Sequence, residues 1–361
     1  MSGIDGKRRV QARLDELTAK GAVPGIQYAA VNADGELLEL CSGVVDVASG
    51  APVTHETTFM ASSVTKTLTA AAVLQLVERD QLRLDDRLSD HYPAHPYGDA
   101  LKIRHLVNQT SGVANPLPLK WLHLVQDHDG FDEQRALEMT LKRYSKLQFA
   151  PGSRYAYSNL SYWLLGRVIE RASGSRYADY MRDRLFEPLG ISRRELGVEI
   201  PAPELHARGH LKRLSLLGLL MPLLMRRELF DRSARGRWRV KPVYMNGPAY
   251  GGLIGTARAF AAFLRDQLQP EPVVFGAETK ALFFSEQSDN QGRPIETTLG
   301  WHRGALDSVP YYSKPGGGPG FQSNLRLYPD KGIGTCWLAN ETGASEGPIH
   351  ALSDSLDRHL W

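Results

Sequence analysis

Cysteine is scarce in this chain of 361 residues, with only Cys41 and Cys336, far apart and without metal-ligand spacing. That excludes a disulfide scaffold and a thiolate metal site, and two buried free thiols are expected. Charge of one sign is scarce as well. The formal net charge is +3, and its spread along the chain excludes the concentrated basic face of a nucleic-acid binder. One local cluster stands out: Arg226, Arg227, Arg232, Arg235, Arg237 and Arg239. Long apolar runs are missing. The longest, Leu214 to Met225, is too short to span a bilayer and contains Pro222. The first residues are polar, with Val10, Leu14 and Leu17 at helical spacing, and lack the apolar region of a signal peptide. The expectation is a cytoplasmic protein without stable membrane insertion. The histidines show no partner pattern, which argues against a Ser-His-Asp hydrolase. Metal-ligand clusters are absent too. His91 and His95 come nearest, in a proline-containing loop, so neither metal nor organic cofactor is expected.

What is present is an ordinary globular composition, 42% hydrophobic and 23% charged, enough for one large domain or two packed lobes. After an N-terminal helix, Ile26 to Asn32 and Glu36 to Cys41 read as a strand hairpin around Ala33-Asp34-Gly35. A buried helix starts near Ser63. From Leu82 to Pro242 the signals are mostly helices and loops, including Leu160 to Ala172 and Tyr177 to Leu185. A helix over Thr256 to Leu268 follows. Strands are then expected at Thr298 to Trp301, Tyr311 to Lys314, Phe321 to Tyr328 and Ile333 to Ala339, with a closing helix from Pro348 to Leu360. The fold class is α+β. An antiparallel sheet built from residues 1–81 and 245–361 is flanked by helices, a mostly helical lobe (82–244) is inserted, and the site lies in the cleft between them. The leucine-rich segment 214–225 is expected to be a buried helical hairpin with a solvated basic tail. The rival reading is an apolar lid or acyl pocket touching lipid.

Three short pieces carry chemistry. In Ser63-Val64-Thr65-Lys66, positions i and i+3 share a helical face, so the lysine amine can reach the serine hydroxyl. Serine needs an adjacent base, and lysine becomes one only when burial or nearby positive charge lowers its pKa. Tyr157-Ser158-Asn159 supplies a phenol for proton transfer and an amide for a substrate carbonyl or for Lys66. Lys314-Pro315-Gly316-Gly317-Gly318 closes a strand, with glycines that let a substrate approach the backbone and a lysine at the site edge. Each piece alone has a plain structural explanation: a helix cap, a buried tyrosine, a glycine hairpin.

Together, in this order and spacing, they resemble the serine β-lactamase and penicillin-binding-protein superfamily, above all its class C branch and the family VIII carboxylesterases. Val23-Pro24-Gly25, Phe59 to Lys66, Arg104 to Gly112, Phe149 to Asn159, Glu187 to Gly190, Ala249 to Leu253 and Gly300-Trp301 extend the resemblance over nearly the whole chain. It implies a β-lactamase-like fold with Ser63 as nucleophile and Lys66 and Tyr157 as its activating pair. Asn159, Lys314, Gly316 and Gly317 would bind substrate, and the Ser63 and Gly317 amides would form the oxyanion hole. Which of Lys66 and Tyr157 takes the first proton stays open at this level.

One departure matters. Where β-lactamases of this type carry threonine or serine after the third-motif lysine, this chain has Pro315, without a hydroxyl or an N–H. The carboxylate site of a β-lactam or peptide is thereby weakened. The expected activity is cleavage of short-chain carboxylic esters through an acyl-enzyme on Ser63, with β-lactam opening as a side activity. The alternatives are a class C-type β-lactamase or D-amino acid peptidase and, in another class, a non-catalytic penicillin-binding-like protein. The expected partner is a small ester, not nucleic acid.

Overall fold

The computed structural model describes residues 3–116, 118–343 and 349–361. Its centre is a six-stranded antiparallel sheet. In spatial order the strands are His302–Leu306, Val309–Gly318, Phe321–Tyr328, Ile333–Ala339, Gly25–Val31 and Glu36–Gly43. N-terminal and C-terminal segments therefore share one sheet, joined where Ile26 to Val31 pair with Ala339 to Gly334. Alternate residues of a strand point to opposite faces. Along Gly25–Val31, Ile26, Tyr28 and Ala30 pack with Val10, Leu14 and Leu356 of the two terminal helices, Gly3–Ala19 and Ile349–Asp357. Ala29 and Val31 face the larger core with Phe260 and Leu264. Both faces are covered, which is why every residue of this strand is buried.

The helix Thr65–Glu78 lies inside the larger core and is buried from Thr65 to Leu76. A helix apolar on all sides is stable only when surrounded. The helix Asn159–Ser173 packs against it. That helix starts where the Ser158 hydroxyl accepts from the Ser161 amide at 3.1 Å and ends at Gly174, whose φ is 70°.

Several details depart from the sequence reading. The stretch 82–244, expected as helices and loops, also carries short strands. Gly209–Lys212, Phe230–Ala234 and Arg237–Val240 form a second sheet with Glu341–Thr342. Their arginine-rich sequence hides the alternation that marks a strand. Thr298 to Trp301 is not a strand: pairing begins at His302, after a turn in which the Gly300 φ is 115°. The strand expected to stop at Lys314 runs on through the glycines to Gly318. Tyr177–Met181 is α-helical and continues as a π-turn over Arg182–Phe186. The closing helix is Ile349–Asp357, and Pro348 lies outside the described residues. Both cysteines are free, but only Cys336 is fully buried, and Cys41 is half-exposed.

The largest correction concerns the leucine-rich segment. Leu216–Leu224 is a short helix on the surface, not a buried hairpin. Among the described residues no helix is long and apolar enough to cross a membrane.

Candidate active site

Ser63 sits in a tight 3-10 turn, Ser62–Val64, that leads into the helix Thr65–Glu78. Ser62 is in the left-handed region, with φ at 50°, a conformation that disfavours a residue with a Cβ by roughly 1 kcal/mol or more. The surroundings hold it there. The Ala61 amide donates to the Leu253 carbonyl at 2.8 Å, and the Ala61 carbonyl accepts from the Ser323 hydroxyl at 2.7 Å. The turn leaves Ser63 half-buried at the head of the helix.

One helical turn on, Lys66 is fully buried. Its amine lies 3.3 Å from Ser63 Oγ and donates to Asn159 Oδ1 at 2.7 Å and to the Tyr250 carbonyl. The rings of Tyr157, Tyr162 and Tyr250 surround it at 4.9 to 5.7 Å. Burial, assisted by the charge of Lys314, pushes the Lys66 pKa well below that of an ordinary lysine. The Tyr157 hydroxyl donates to Ser63 Oγ at 2.7 Å. Burial raises the Tyr157 pKa, against the pull of its bond to Ser63, so the phenol is protonated at neutral pH.

Asn159 is the first residue of its helix, and its own backbone and side-chain amides both donate to Asn115 Oδ1, at 3.0 and 3.1 Å. The loop carrying Tyr157 is clamped by Gln109, whose side chain accepts from the Ser158 amide at 2.6 Å and donates to the Ser158 carbonyl at 3.3 Å. The site is thus assembled from four separated stretches: the turn at Ser63, the loop at 109–115, the start of the helix at Asn159 and the carbonyl of Tyr250.

The strand Val309–Gly318 completes the site. Val309 to Ser313 pair with His302–Leu306 and Tyr312 to Gly318 with Phe321–Tyr328, so from Lys314 onward the strand pairs only with the latter. Its other edge is open, and this is where Pro315 is tolerated, since a proline there interrupts no ladder. A Cβ placed on Gly316 would approach the Ser63 amide nitrogen to 3.2 Å, so the strand passes directly against the nucleophile's backbone. Gly317 has open space at its Cβ position. Lys314 is buried, 5.5 Å from the Tyr157 ring centre and 3.5 Å from His302 Nε2. Burial brings its pKa down to about 7, and burial next to Lys314 brings that of His302 down to about 3.

All the side chains named from the sequence, Ser63, Lys66, Tyr157, Asn159 and Lys314, converge here, together with Gly316 and Gly317. Sequence reasoning missed Asn115, the Tyr250 carbonyl and His302. Backbone carbonyls carry no residue signal, and Asn115 and His302 lie in no patterned segment.

Residues 10–355 match the family model described as Beta-lactamase. The chain belongs to the beta-lactamase family. It is 31% identical to penicillin-binding protein 4 of Amycolatopsis lactamdurans over 344 residues, covering 91% of this chain and 84% of that one. With esterase EstB of Burkholderia gladioli it shares 34% over 210 residues, 54% of this chain and 52% of that one. The D-amino acid amidase of Ochrobactrum anthropi SV3 superimposes with a TM-score of 0.81 over 99% of both chains at 20% identity, which shows a shared fold. Family and neighbours together support a hydrolase of the β-lactamase fold.

Proposed function

We propose that the protein is a carboxylesterase that works through an acyl-enzyme on Ser63. The observation that carries this is the buried Lys66 amine at 3.3 Å from Ser63 Oγ, with Tyr157 donating to the same oxygen. A neutral amine has two N–H bonds and one lone pair. Asn159 and the Tyr250 carbonyl take the two N–H bonds, so the lone pair is left for the Ser63 proton. Lys66 is therefore the first base and the protonated Tyr157 the acid, within one coupled unit.

Ser63 loses its proton to Lys66 as Oγ bonds to the ester carbonyl carbon. The oxyanion rests on the Ser63 and Gly317 amides. As the C–O bond to the alcohol breaks, the leaving alkoxide takes a proton from Tyr157, which is reprotonated by the Lys66 ammonium. Water then attacks the acyl carbon as Lys66 takes its proton, Ser63 Oγ leaves with a proton from Tyr157, the Lys66 ammonium reprotonates Tyr157, and the acid is released.

Two features favour an ester. Pro315 removes the hydroxyl that would hold a β-lactam carboxylate, and the partial match to an esterase agrees with this. Lys314 favours a second reading, a β-lactamase or peptidase: burial lowers its pKa to about 7, and a carboxylate beside it would restore the cation.

The test is initial rates on p-nitrophenyl butyrate and on a chromogenic cephalosporin, wild type beside Ser63→Ala. Fast, Ser63-dependent ester cleavage with slow cephalosporin opening is expected. Faster cephalosporin turnover would move the assignment to the second reading, and full activity in Ser63→Ala would overturn the mechanism.

A further inference from the structure

The surface helix Leu216–Leu224 reads Leu-Leu-Gly-Leu-Leu-Met-Pro-Leu-Leu, without one polar side chain. Its leucines face solvent: Leu216 is 74% exposed, Leu219 59% and Leu223 81%, and Leu214 just before the helix is 94% exposed. Leu217, Leu220 and Leu224 are exposed as well. At 100° per residue these positions sweep roughly 160° of the helix circumference. Soluble surfaces rarely leave an apolar patch of this kind uncovered.

The helix is held flat. The Ser215 hydroxyl caps it by accepting from the Gly218 amide at 3.0 Å, and the Trp238 indole donates to the Gly218 carbonyl at 2.9 Å. Gly218 faces the Lys212 carbonyl so closely that no side chain would fit. One side of the helix is therefore fixed on the small sheet and the leucine side points away.

Basic charge flanks these leucines along the chain. From Lys212 to Lys241 the chain has nine basic residues against two acidic ones, while the whole chain carries only +3. Arg237 and Arg239 are paired inward, with Glu341 and Asp46. Arg213, Arg227, Arg232 and Arg235 are exposed, and none makes an ion pair among the described residues.

We propose that this helix and its flanking arginines are a peripheral docking surface for an anionic phospholipid bilayer. Leucines without any polar partner on the exposed side fit the acyl layer, where side chains need no hydrogen bonds. Exposed guanidinium groups without an ion pair in the flanking chain fit phosphate headgroups. A protein groove would cover a narrower strip and would call for polar partners at its rim. The helix has nine residues, so it lies in the interface and does not span it.

The experiment is vesicle co-sedimentation of the full chain. Vesicles of phosphatidylcholine alone are compared with vesicles holding about a third phosphatidylglycerol, in low salt and in about 0.5 M salt. Binding to the anionic vesicles at low salt, release by salt and little binding to phosphatidylcholine are expected. Leu216→Glu with Leu219→Glu and Leu223→Glu should cut binding at least about tenfold. Arg227→Glu with Arg232→Glu and Arg235→Glu should do the same while leaving the apolar helix intact, which guards against a folding defect in the first variant. Failure of the wild type to bind anionic vesicles overturns the proposal. So does binding by both variants at the wild-type level. A wild-type dimer that the leucine variant dissociates, with no vesicle binding, would show that a second copy covers this face instead.

Discussion

The amide oxygen of Asn159 accepts from the Lys66 amine at 2.7 Å, and that bond sets which way the amine's remaining lone pair can point. Replacing the amide by a carboxylate keeps the shape and changes the charge. In Asn159→Asp the opposite charge raises the Lys66 pKa, and the ammonium can no longer accept the Ser63 proton. Ester cleavage near pH 7 should fall by about a hundredfold or more. The rise of rate with pH should also move upward by about one unit or more. A pH–rate profile checks this; an unmoved profile would mean that Lys66 is not the base.

Lys314 offers a prediction on stability. Its folded pKa, about 7, lies below its ordinary 10.5. The unfolded chain therefore binds a proton that the folded chain refuses, and folding stability declines as pH falls from about 10 towards 7. Lys314→Met removes that penalty. Thermal melts should show a higher midpoint at pH 7, from a gain of up to about 4 kcal/mol, with the gain fading towards pH 10. Lys314 also helps to lower the Lys66 pKa, so the same variant should need higher pH for full esterase rate. A variant less stable at pH 7 than wild type would contradict this account.

Neighbouring glycines should behave differently. A Cβ on Gly316 would sit 2.5 Å from the Ala61 carbonyl oxygen, against backbone that cannot move without shifting the nucleophile turn. Gly316→Ala should destabilise by about 1–3 kcal/mol and remove most activity. Gly317→Ala meets nothing within 4 Å and should fold as wild type. Denaturant melts of the two variants side by side decide the matter, and equal destabilisation would rule out this placement of the strand.

Pro315 is the chosen explanation for ester preference, and Pro315→Thr tests it. The position lies on the part of its strand that pairs only with Phe321–Tyr328, opposite Asn324, so threonine fits the ladder and restores a hydroxyl beside Lys314. Cephalosporin turnover should rise about tenfold or more relative to the butyrate ester. An unchanged ratio of the two rates would show that discrimination lies elsewhere in the cleft.

Most of the site was legible in the chain because its parts are local. Ser63 and Lys66 are one turn apart, Tyr157 and Asn159 flank a helix start, and Lys314 to Gly317 are continuous. The strand alternation of Phe321–Tyr328 and Ile333–Ala339 was equally plain. Gly209–Lys212 and Arg237–Val240 were not recognised, because long charged side chains on a small half-exposed sheet break the apolar alternation. Leu216–Leu224 reads as core from composition, which makes no distinction between a leucine turned inward and one turned to solvent.

By itself, then, the sequence determined which chemical groups exist, where the regularly patterned helices and strands lie, and that serine, lysine and tyrosine stand at spacings that allow them to meet. Only the tertiary structure decided what those groups are able to do. A lysine is a base or a cation according to what buries it, and Lys66 is buried by Tyr162 and Tyr250, held by Asn159 and repelled by Lys314. All four are far from Lys66 in the chain. Protonation and exposure depend on the surrounding dielectric and packing, and those are properties of the fold, not of any one segment.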